Sequence, residues 1–361
     1  MTVLLTGITG LVGCHVAISL LKRGVRVIAL ARGGDGATPE QRVMRTLTAF
    51  PGWQGKQGSL SNVLAAEGDL LAAACGMDEG MCAMLNGHVD VVLNCAGAIS
   101  FSAPGEETPE LRVNTDGLVN VMDLSARLGC RRIIHVSTAY VDKGYRDGAF
   151  RTEYERTKKD GEQLLLSRAS ERELDAIIVR PSIVTGDCRF GFTPVFNGIY
   201  PFFRFISDRW FFLQNTSTKQ WMSGAFSESA AVNLVPAGIL GDVLSELVEA
   251  WPAGAKIFSL INPNDWSIPD LLEATAAHFH KHPPPSGTSV SRAIFQMAAV
   301  QAEARVLFDL YEPYAAASPR LMADSEAVLL SPEASGALEN RDQWLQALLD
   351  WGMTVGWKRV G

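Results

Sequence analysis

Three glycines within the first thirteen residues constrain the fold of this chain more than any other feature of the sequence. Gly7, Gly10 and Gly13 follow the apolar run VLLT and lead into LVGCHVAISLLK, whose apolar residues have helical spacing. A strand that passes over closely spaced glycines into a helix is typical of the first unit of a doubly wound parallel sheet. The start of the chain therefore predicts an α/β fold.

The first 180 residues repeat this alternation of short β-branched runs and helix-period segments, which indicates βαβ units. Runs such as DVVLN and RIIHV are apolar throughout, as expected for strands that helices cover on both faces. We predict strands at Val3–Thr6, Val25–Ala31, Val63–Glu67, Val89–Asn94, Arg132–Ser137 and Ala176–Arg180. We predict helices at Leu11–Arg23, Pro39–Ala49, Asp78–Leu85, Pro109–Leu128 and Tyr154–Arg172.

The pattern changes after Gly186. The aromatic segment from Phe190 to Phe212 contains glycines and prolines that exclude one long helix, and we expect it to contact the substrate. Elements near residues 227–262, including a strand in IFSLINP, are expected to return to the sheet. The 361 residues are thus predicted as a doubly wound parallel-sheet domain of the Rossmann type, residues 1–186 with the returning elements, and a smaller, mainly helical C-terminal substrate lobe, residues 187–226 and 263–361.

Charge and hydropathy argue against several classes of partner. The net charge of −7 and the isoelectric point near 5.5 are unsuited to nucleic-acid binding, so we expect no such partner. The apolar stretch from Gly198 to Leu213 is too short and too interrupted by charges to cross a bilayer, so we predict no transmembrane segment. The first residues have no basic region followed by an apolar core, so we expect no signal peptide and a cytoplasmic protein.

The sequence predicts neither a disulfide nor a metal site. The six cysteines include no C-x-x-C pair and lie mostly in apolar runs, which is typical of reduced core residues. His278, His280 and His282 form the only metal-like cluster, but they precede three prolines without supporting cysteines or carboxylates. We interpret them as a solvated helix end.

The glycine turn at the start of the chain has the spacing of a phosphate-binding turn. The first glycine permits the tight turn, the second lets the backbone approach a pyrophosphate, and the third lets helix and strand pack closely. The helix that follows offers unpaired N–H groups to phosphate oxygens. A connection without any ligand is the alternative, but a turn that opens a βα unit favours nucleotide binding. We assign cofactor contacts in this turn to Gly7, Thr9, Gly10, Leu11, Val12 and Gly13.

Arg32 follows the second predicted strand, where a charged side chain decides dinucleotide specificity. Its guanidinium can bind a 2′-phosphate, whereas the nearest acid, Asp35, comes three residues later. NADPH is therefore the predicted cofactor, with NADH as the alternative. After the third strand, the GDL motif with Asp69 and Leu70 is placed to meet the adenine amino group. After the fourth strand, small residues let the backbone run beside the cofactor at Cys95, Ala96 and Gly97.

A tyrosine and a lysine with helical spacing follow the fifth predicted strand. Tyr154 and Lys158 share one face of a helix, and Thr138 ends the strand before them. Reduction of a carbonyl group requires a proton for the oxygen and stabilisation of its developing charge. We predict that Tyr154 donates the proton, Thr138 hydrogen-bonds the oxygen, and Lys158 favours the phenolate and binds the nicotinamide ribose. Tyr140 and Tyr145 are other phenols nearby, but neither has a lysine four residues later.

These motifs resemble the extended short-chain dehydrogenases/reductases, and among them the branch of thioester reductase domains, carboxylic acid reductases and fatty acyl-CoA reductases. The resemblance extends over about two thirds of the chain. The segments that carry it are TGITGLVG, Arg32, GDL at 68–70, VNTDG around Asn114, VSTAYV around Thr138, YERTKKDGE around Lys158, RPSIVTGD at 180–187 and NLVP at 233–236.

The resemblance implies an NAD(P)H-dependent reductase that transfers hydride to a carbonyl or thioester of a small lipophilic substrate. It implies that Asn114 helps to organise the catalytic site and that Pro181, Ser182 and Val184 run beside the nicotinamide amide. The substrate can then be a thioester of CoA or of a carrier protein. A free-standing reductase of a lipophilic carbonyl compound fits the motifs equally well.

Two other functions use the same fold. A nucleotide-sugar epimerase or dehydratase would use bound NAD without net turnover. Dehydratases place acids beside the hydroxyl that ends strand five, whereas this chain has Ala139 and Tyr140 there. A non-catalytic dinucleotide-sensing protein would not need the pair Tyr154 and Lys158.

Overall fold

The computed structural model describes most of the Rossmann-type half and parts of the C-terminal half. It describes residues 1–34, 36–51, 53, 60–103, 105–106, 108–141, 150–209, 230–253, 256–284, 305–306, 323–328, 330 and 332–360. Asp35, Tyr145, residues 210–212 of the aromatic segment and much of the predicted C-terminal lobe lie outside these described residues.

Eight parallel strands form the main sheet. The described strands are β1 (Thr2–Thr6), β2 (Arg26–Ala31), β3 (Val63–Glu67), β4 (Val91–Asn94), β5 (Arg132–Val136), β6 (Asp175–Pro181), β7 (Ile183–Thr185), β8 (Ala231–Val232), β9 (Leu234–Pro236), β10 (Ile257–Leu260), β11 (Trp266–Ser267) and β12 (Glu326–Ala327). The sheet has the order β12-β10-β6-β5-β4-β1-β2-β3. The strand order reverses between β1 and β4, which is the doubly wound arrangement, and the predicted fold class is confirmed.

The helices cover both faces of this sheet. They are α1 (Leu11–Lys22), α2 (Pro39–Thr48), α3 (Glu79–Leu85), α4 (Asp116–Arg127), α5 (Glu153–Glu171), α6 (Tyr200–Arg209), α7 (Ala237–Ala250), α8 (Ile268–Lys281), α9 (Pro332–Glu339) and α10 (Arg341–Thr354). Alternate residues of a strand enter separate cores: Leu5 packs in one cluster, and Leu4 in the other. The central strands are mainly apolar because both of their faces are buried.

Side-chain caps start α2 and α8. Thr38 accepts a hydrogen bond from the Gln41 amide, and the Gln41 side chain accepts one from the Thr38 amide, which forms a capping box for α2. Ser267 accepts from the amide of Asp270 at the start of α8.

The predicted helix Pro109–Leu128 is wrong in its first part. Residues Pro109–Asn114 form a 3₁₀ turn, and α4 begins only at Asp116. The Asn114 side chain bonds both the amide and the carbonyl of Ala98, and its own carbonyl packs against Gly161 of α5. These long-range contacts prevent residues 109–114 from joining α4 in one continuous helix. The spacing of apolar residues in the sequence does not show such contacts.

His278 is buried rather than solvated as we expected. Its Nε2 lies 3.1 Å from Asp350 Oδ1, so the pair joins α8 to α10. Among the described residues, no three histidine, cysteine, aspartate or glutamate side chains are arranged to hold a metal ion. Of the helices that the structure describes, none is long and apolar enough to cross a membrane.

Candidate active site

A cavity of about 220 Å³ lies at the carboxyl ends of β1, β4, β5 and β6. Ligands of doubly wound sheets bind at this edge, next to the point where the strand order reverses. The predicted site residues in its wall are Gly7, Gly10, Leu11, Val12, Gly13, Cys95, Gly97, Thr138, Tyr154, Lys158, Pro181, Ser182 and Val184. Those outside its wall are Thr9, Arg32, Asp69, Leu70, Ala96 and Asn114.

The glycine turn is packed so closely that side chains would not fit. A Cβ added at Gly13 would lie 2.2 Å from the carbonyl oxygen of Gly7. Gly7 has a φ of +75°, and a Cβ there would lie 2.7 Å from the amide nitrogen of Ala96. No side chain caps the start of α1 at Gly10. The first N–H groups of this helix, which begins in the cavity wall, are therefore left without a side-chain acceptor.

A buried hydrogen-bond chain fixes the backbone opposite the turn. The hydroxyl of Thr6 donates to Asn94 Oδ1 at 2.5 Å and accepts from the amide of Ala96 at 3.1 Å. The amide group of Asn94 lies 3.1 Å from His135 Nδ1. Burial and nearby Lys158 hold the pKa of His135 well below its usual value, so this imidazole is neutral. The chain keeps Ala96 against Gly7, which leaves a narrow cradle for a ligand.

Lys158 is buried and fixed to strand β5. Its Nζ donates to the carbonyl oxygen of Val136 at 2.9 Å, and it packs against the Cα of Gly97, where a Cβ would lie 2.8 Å from Nζ. Burial lowers the pKa of this amine to about 8, although the carboxylate of Glu162 opposes that effect. The ammonium therefore predominates at neutral pH and has two further N–H donors.

Tyr154 lies one helical turn before Lys158 and also lines the cavity. Burial raises the pKa of its phenol above the usual value, and the neighbouring carboxylate of Glu155 acts in the same direction. We expected Lys158 to favour the phenolate. Because its pKa is raised, the phenol is neutral and can donate a proton, and the effect of Lys158 on the phenolate stays a prediction.

Thr138 presents a hydroxyl that accepts one hydrogen bond from the main chain. Its Oγ1 accepts from the amide of Tyr140 at 3.3 Å. A threonine hydroxyl has a single proton, which remains available to an oxygen atom in the cavity. Ser137 and Ser182, on neighbouring strand ends, also line the cavity, and both hydroxyls are buried without a partner among the described residues.

Asn114 stands behind this wall. Its side chain bonds both main-chain groups of Ala98 and donates to Thr157 Oγ1, each at 3.1 Å. Asn114 Oδ1 would also lie 3.1 Å from a Cβ at Gly97. Since its amide is fully engaged, Asn114 holds the loop at Gly97 against helix α5.

Two arginines lie at the end of β2. Arg32 Nη1 is 3.8 Å from Asp69 Oδ2, and both side chains are largely exposed. Arg42 Nη1 donates to the carbonyl oxygens of Arg32 and Gly33, at 2.6 and 3.4 Å. Leu70 follows Asp69, and its carbonyl accepts from Asn120.

Sequence reasoning missed several residues of this site. Arg42 comes ten residues after Arg32, and only the packing of α2 brings the two together. Ser137 directly precedes Thr138, so its position was the available signal, but its unpaired hydroxyl is visible only in the fold. The cavity wall also contains Ile99, Phe101, Val136, Tyr140 and Ile183, which were not among the predicted residues. Val195, Asn197 and Gly198 of the wall lie in the segment that we expected to contact the substrate.

These residues fit a nicotinamide dinucleotide. The cradle that a Cβ would fill at Gly7 and Gly13 accommodates a diphosphate beside free helix amides. The unpaired hydroxyls of Ser137 and Ser182 and the free donors of Lys158 provide polar partners at the other end.

Comparisons with known proteins agree with this description. A family model described as "Male sterility protein", an NAD-binding family, matches residues 5–240. The L-2-aminoadipate reductase large subunit of Eremothecium gossypii is 26% identical over 214 residues, which are 51% of this chain and 15% of that protein. The chain therefore spans less than a sixth of this relative.

Two solved structures share the fold. The terminal R domain of the myxalamid PKS-NRPS pathway superposes with a TM-score of 0.66 at 18% identity, over 99% of this chain and 92% of that one. A thiolation-reductase di-domain from an archaeal non-ribosomal peptide synthetase gives a TM-score of 0.65 at 16% identity, over 99% and 76%. At these identities the likeness establishes the fold alone.

Proposed function

We propose that this chain reduces a lipophilic thioester or ketone with NADPH. It belongs to the NAD-binding family described as male sterility protein, within the thioester reductase-like branch of the extended short-chain dehydrogenases/reductases. It is an NAD(P)-dependent oxidoreductase of this type. The observation that carries the proposal is that Thr138, Tyr154 and Lys158 line one cavity together with the glycine turn.

Each of the three side chains has a role that its contacts support. The Thr138 proton, left free by the bond from Tyr140, hydrogen-bonds the substrate oxygen. The neutral phenol of Tyr154 gives its proton to that oxygen as charge develops on it. Lys158, fixed by Val136 one helical turn after Tyr154, binds the nicotinamide ribose. The bound nicotinamide supplies the hydride.

The proposed reaction balances for either substrate. A ketone takes a hydride at carbon and a proton at oxygen and becomes an alcohol. A thioester takes the same two and gives a hemithioacetal, which releases the thiol and leaves an aldehyde. In both cases Tyr154 regains its proton from solvent.

NADPH is the proposed cofactor because two guanidinium groups lie at the end of β2. Arg42 holds the carbonyls of this loop and has further N–H donors, and Arg32 is exposed enough to leave its long contact with Asp69. A 2′-phosphate placed there would receive two charge-assisted partners. The Asp69 carboxylate is then released for the adenine amino group.

The substrate end of the cavity is apolar. Ile99, Phe101, Ile183 and Val195 line it, and Lys158 is the only charged residue among the described residues of the wall. A nucleotide sugar carries two phosphates and needs cationic partners, whereas an acyl chain is suited to this lining. We therefore propose an uncharged acyl group, bound as a thioester of CoA or of a carrier protein, as the reacting part of the substrate.

An absorbance assay of the reduced cofactor tests this proposal. The purified chain is mixed with NADPH and a long-chain acyl-CoA, an aliphatic ketone or a UDP-sugar in turn. We expect oxidation of NADPH with the first or second substrate, and for acyl-CoA one free thiol for each NADPH oxidised. Interconversion of UDP-sugars without net cofactor oxidation, or no oxidation with any carbonyl compound, would contradict the proposal.

A further inference from the structure

Arg180 is a fully buried cation next to the cavity. It lies on β6 immediately before Pro181 and Ser182, which line the cavity wall, and its side chain has no exposed surface. A guanidinium without solvent is costly unless its N–H groups find partners, so these partners must be held in place. Two carboxylates are among them, and they are far apart in the sequence.

The first partner is on the catalytic helix. Glu162 lies one turn after Lys158 on α5 and accepts from Arg180 Nε at 2.8 Å and Nη2 at 2.7 Å. This two-bond fork fixes the helix against β6 in one orientation. Lys158 itself is bonded to Val136 of β5, so α5 is attached to two adjacent strands at the turn that faces the cavity.

The second partner comes from the C-terminal part of the chain. Asp324 accepts from Arg180 Nη1 at 2.6 Å and from Nη2 at 3.1 Å. It precedes β12, and its neighbour Ser325 shares a 2.9 Å hydrogen bond with Ser259 of β10. The family model ends at residue 240, so Asp324 lies beyond the part of the chain that the family describes.

We propose that Asp324 is a positioning residue: it adds a second carboxylate fork to the Arg180 guanidinium and so holds, through Glu162, the turn of α5 that carries Lys158. Without this carboxylate, Arg180 would retain the Glu162 fork and lose the two bonds that fix its orientation from the other side. The α5 turn would then have no single preferred position. This inference rests on the proposed role of Lys158 in catalysis.

The charge balance predicts a direction as well. Two carboxylates surround Arg180, and Lys159 Nζ also lies 3.2 Å from Glu162 Oε2. Removal of the Asp324 charge leaves this cluster more positive. The Cys95 thiol and the Glu162 carboxylate are the groups that oppose the lowering of the Lys158 pKa, so a Glu162 that turns toward Arg180 favours the ammonium less, and Lys158 loses its proton at lower pH.

The test compares Asp324→Asn with Glu326→Gln, a matched control two residues later in the same exposed segment. With the acyl-CoA or ketone that the wild type reduces, we expect Asp324→Asn to lower kcat roughly tenfold or more with little change in KM, because small displacements of catalytic groups cost rate. Asp324→Glu keeps the charge and should recover most of the loss. Glu326→Gln should match the wild type.

A second readout needs no turnover. The pH dependence of acetylation at Lys158, followed by mass spectrometry of the substrate-free protein, should shift to lower pH in Asp324→Asn only. Unchanged kcat, or a loss of kcat that follows the loss of folded protein with no shift in Lys158 acetylation, would overturn the inference. If the wild type reduces no carbonyl compound, the proposed function fails, and the acetylation profile alone decides the role of Asp324.

Discussion

The ammonium of Lys158 donates a 2.9 Å hydrogen bond to the main-chain carbonyl oxygen of Val136, the last residue of strand β5. Val136 is followed by Ser137 and Thr138, so one contact ties the lysine to the strand end that presents the proposed oxyanion partner. The bond uses one of three N–H donors and leaves two for a ligand. The lysine is thereby held in place before any cofactor binds.

This arrangement should reduce stability. Burial lowers the pKa of Lys158 to about 8, from about 10.4 in the unfolded chain, a penalty of roughly 3 kcal/mol on the charged form. Lys158→Met removes the penalty but leaves the Val136 carbonyl unpaired, at a cost of about 1 to 2 kcal/mol. We expect a net gain of about 1 to 2 kcal/mol in denaturant unfolding at pH 7, with loss of turnover.

The stability difference between the wild type and Lys158→Met should depend on pH. Below pH 8 the folded protein carries the full penalty, and the penalty disappears as pH rises from about 8 toward 10.4. The stability gain of Lys158→Met should therefore shrink above pH 8. A gain that is independent of pH would contradict the assignment.

Tyr154→Phe removes the proposed proton donor while keeping the ring. General acid catalysis contributes roughly 10² to 10⁴ in rate, so we expect kcat to fall by at least about 100-fold with cofactor binding retained. Cofactor binding is measured by fluorescence titration with NADPH. The control is Tyr200→Phe, a buried phenol outside the cavity that accepts from the Gly186 amide and should affect stability only. Full activity of Tyr154→Phe would refute the mechanism.

Gly13→Ala should abolish nucleotide binding. The new Cβ would lie 2.2 Å from the Gly7 carbonyl oxygen, which is backbone and cannot move without opening the turn. Equilibrium dialysis with NADPH measures the effect. Gly336→Ala is the matched control, since a Cβ at this helical position meets nothing within 4 Å and alanine favours helices. Wild-type affinity in Gly13→Ala would show that the nucleotide binds elsewhere.

Arg32→Ala and Arg42→Gln should change cofactor preference. Each removes one charge-assisted partner of a 2′-phosphate, so KM for NADPH should rise roughly tenfold or more while KM for NADH changes little. Glutamine at 42 keeps a donor for the carbonyl of Arg32. Arg45 is an exposed residue of α2, the helix that carries Arg42, and Arg45→Ala should leave the KM values for NADPH and NADH unchanged. Equal effects on NADPH and NADH would exclude a phosphate-binding role.

The rate of Cys95 alkylation measures cofactor binding in the absence of substrate. Cys95 is half-buried in the cavity wall, and Cys188 is half-buried outside it. Burial raises the pKa of both thiols, so alkylation is slow. NADPH at ten times its Kd should slow the alkylation of Cys95 by about tenfold, in proportion to the free protein. Equal protection of Cys188, or none at Cys95, would contradict the placement.

The central strands of the sheet could be predicted because they are buried on both faces and therefore mainly apolar, and β1, β2, β5 and β6 were predicted within one residue at each end. The half-buried edge strand Val63–Glu67 was also predicted at its observed bounds. Strand β12 has no such pattern: its two residues are exposed and become a strand only through pairing with β10. The same reason explains Pro109–Asn114, where contacts with Ala98 override helical periodicity.

The parts of the candidate site that could be predicted are those formed by residues close together in the sequence. The turn at Gly7 and the spacing of Tyr154 and Lys158 are local features, and the structure brings these residues into one wall. Their catalytic and binding roles stay predictions. Arg42 and Asp324 could not be found this way, since each depends on a partner that only the fold brings near. The neutral state of Tyr154 likewise follows from burial, which spacing does not report.

The late position of β12 also affects how the chain is made. Ser259 and Ser325, which join β10 to the segment of β12, are 66 residues apart. On a ribosome adding about 5 to 20 residues per second, the edge of β10 stays open for several seconds before its partner emerges. An open, parallel sheet edge can pair with strands of neighbouring nascent chains. Slower initiation or a chaperone that shields this edge should therefore increase the yield of soluble protein during expression.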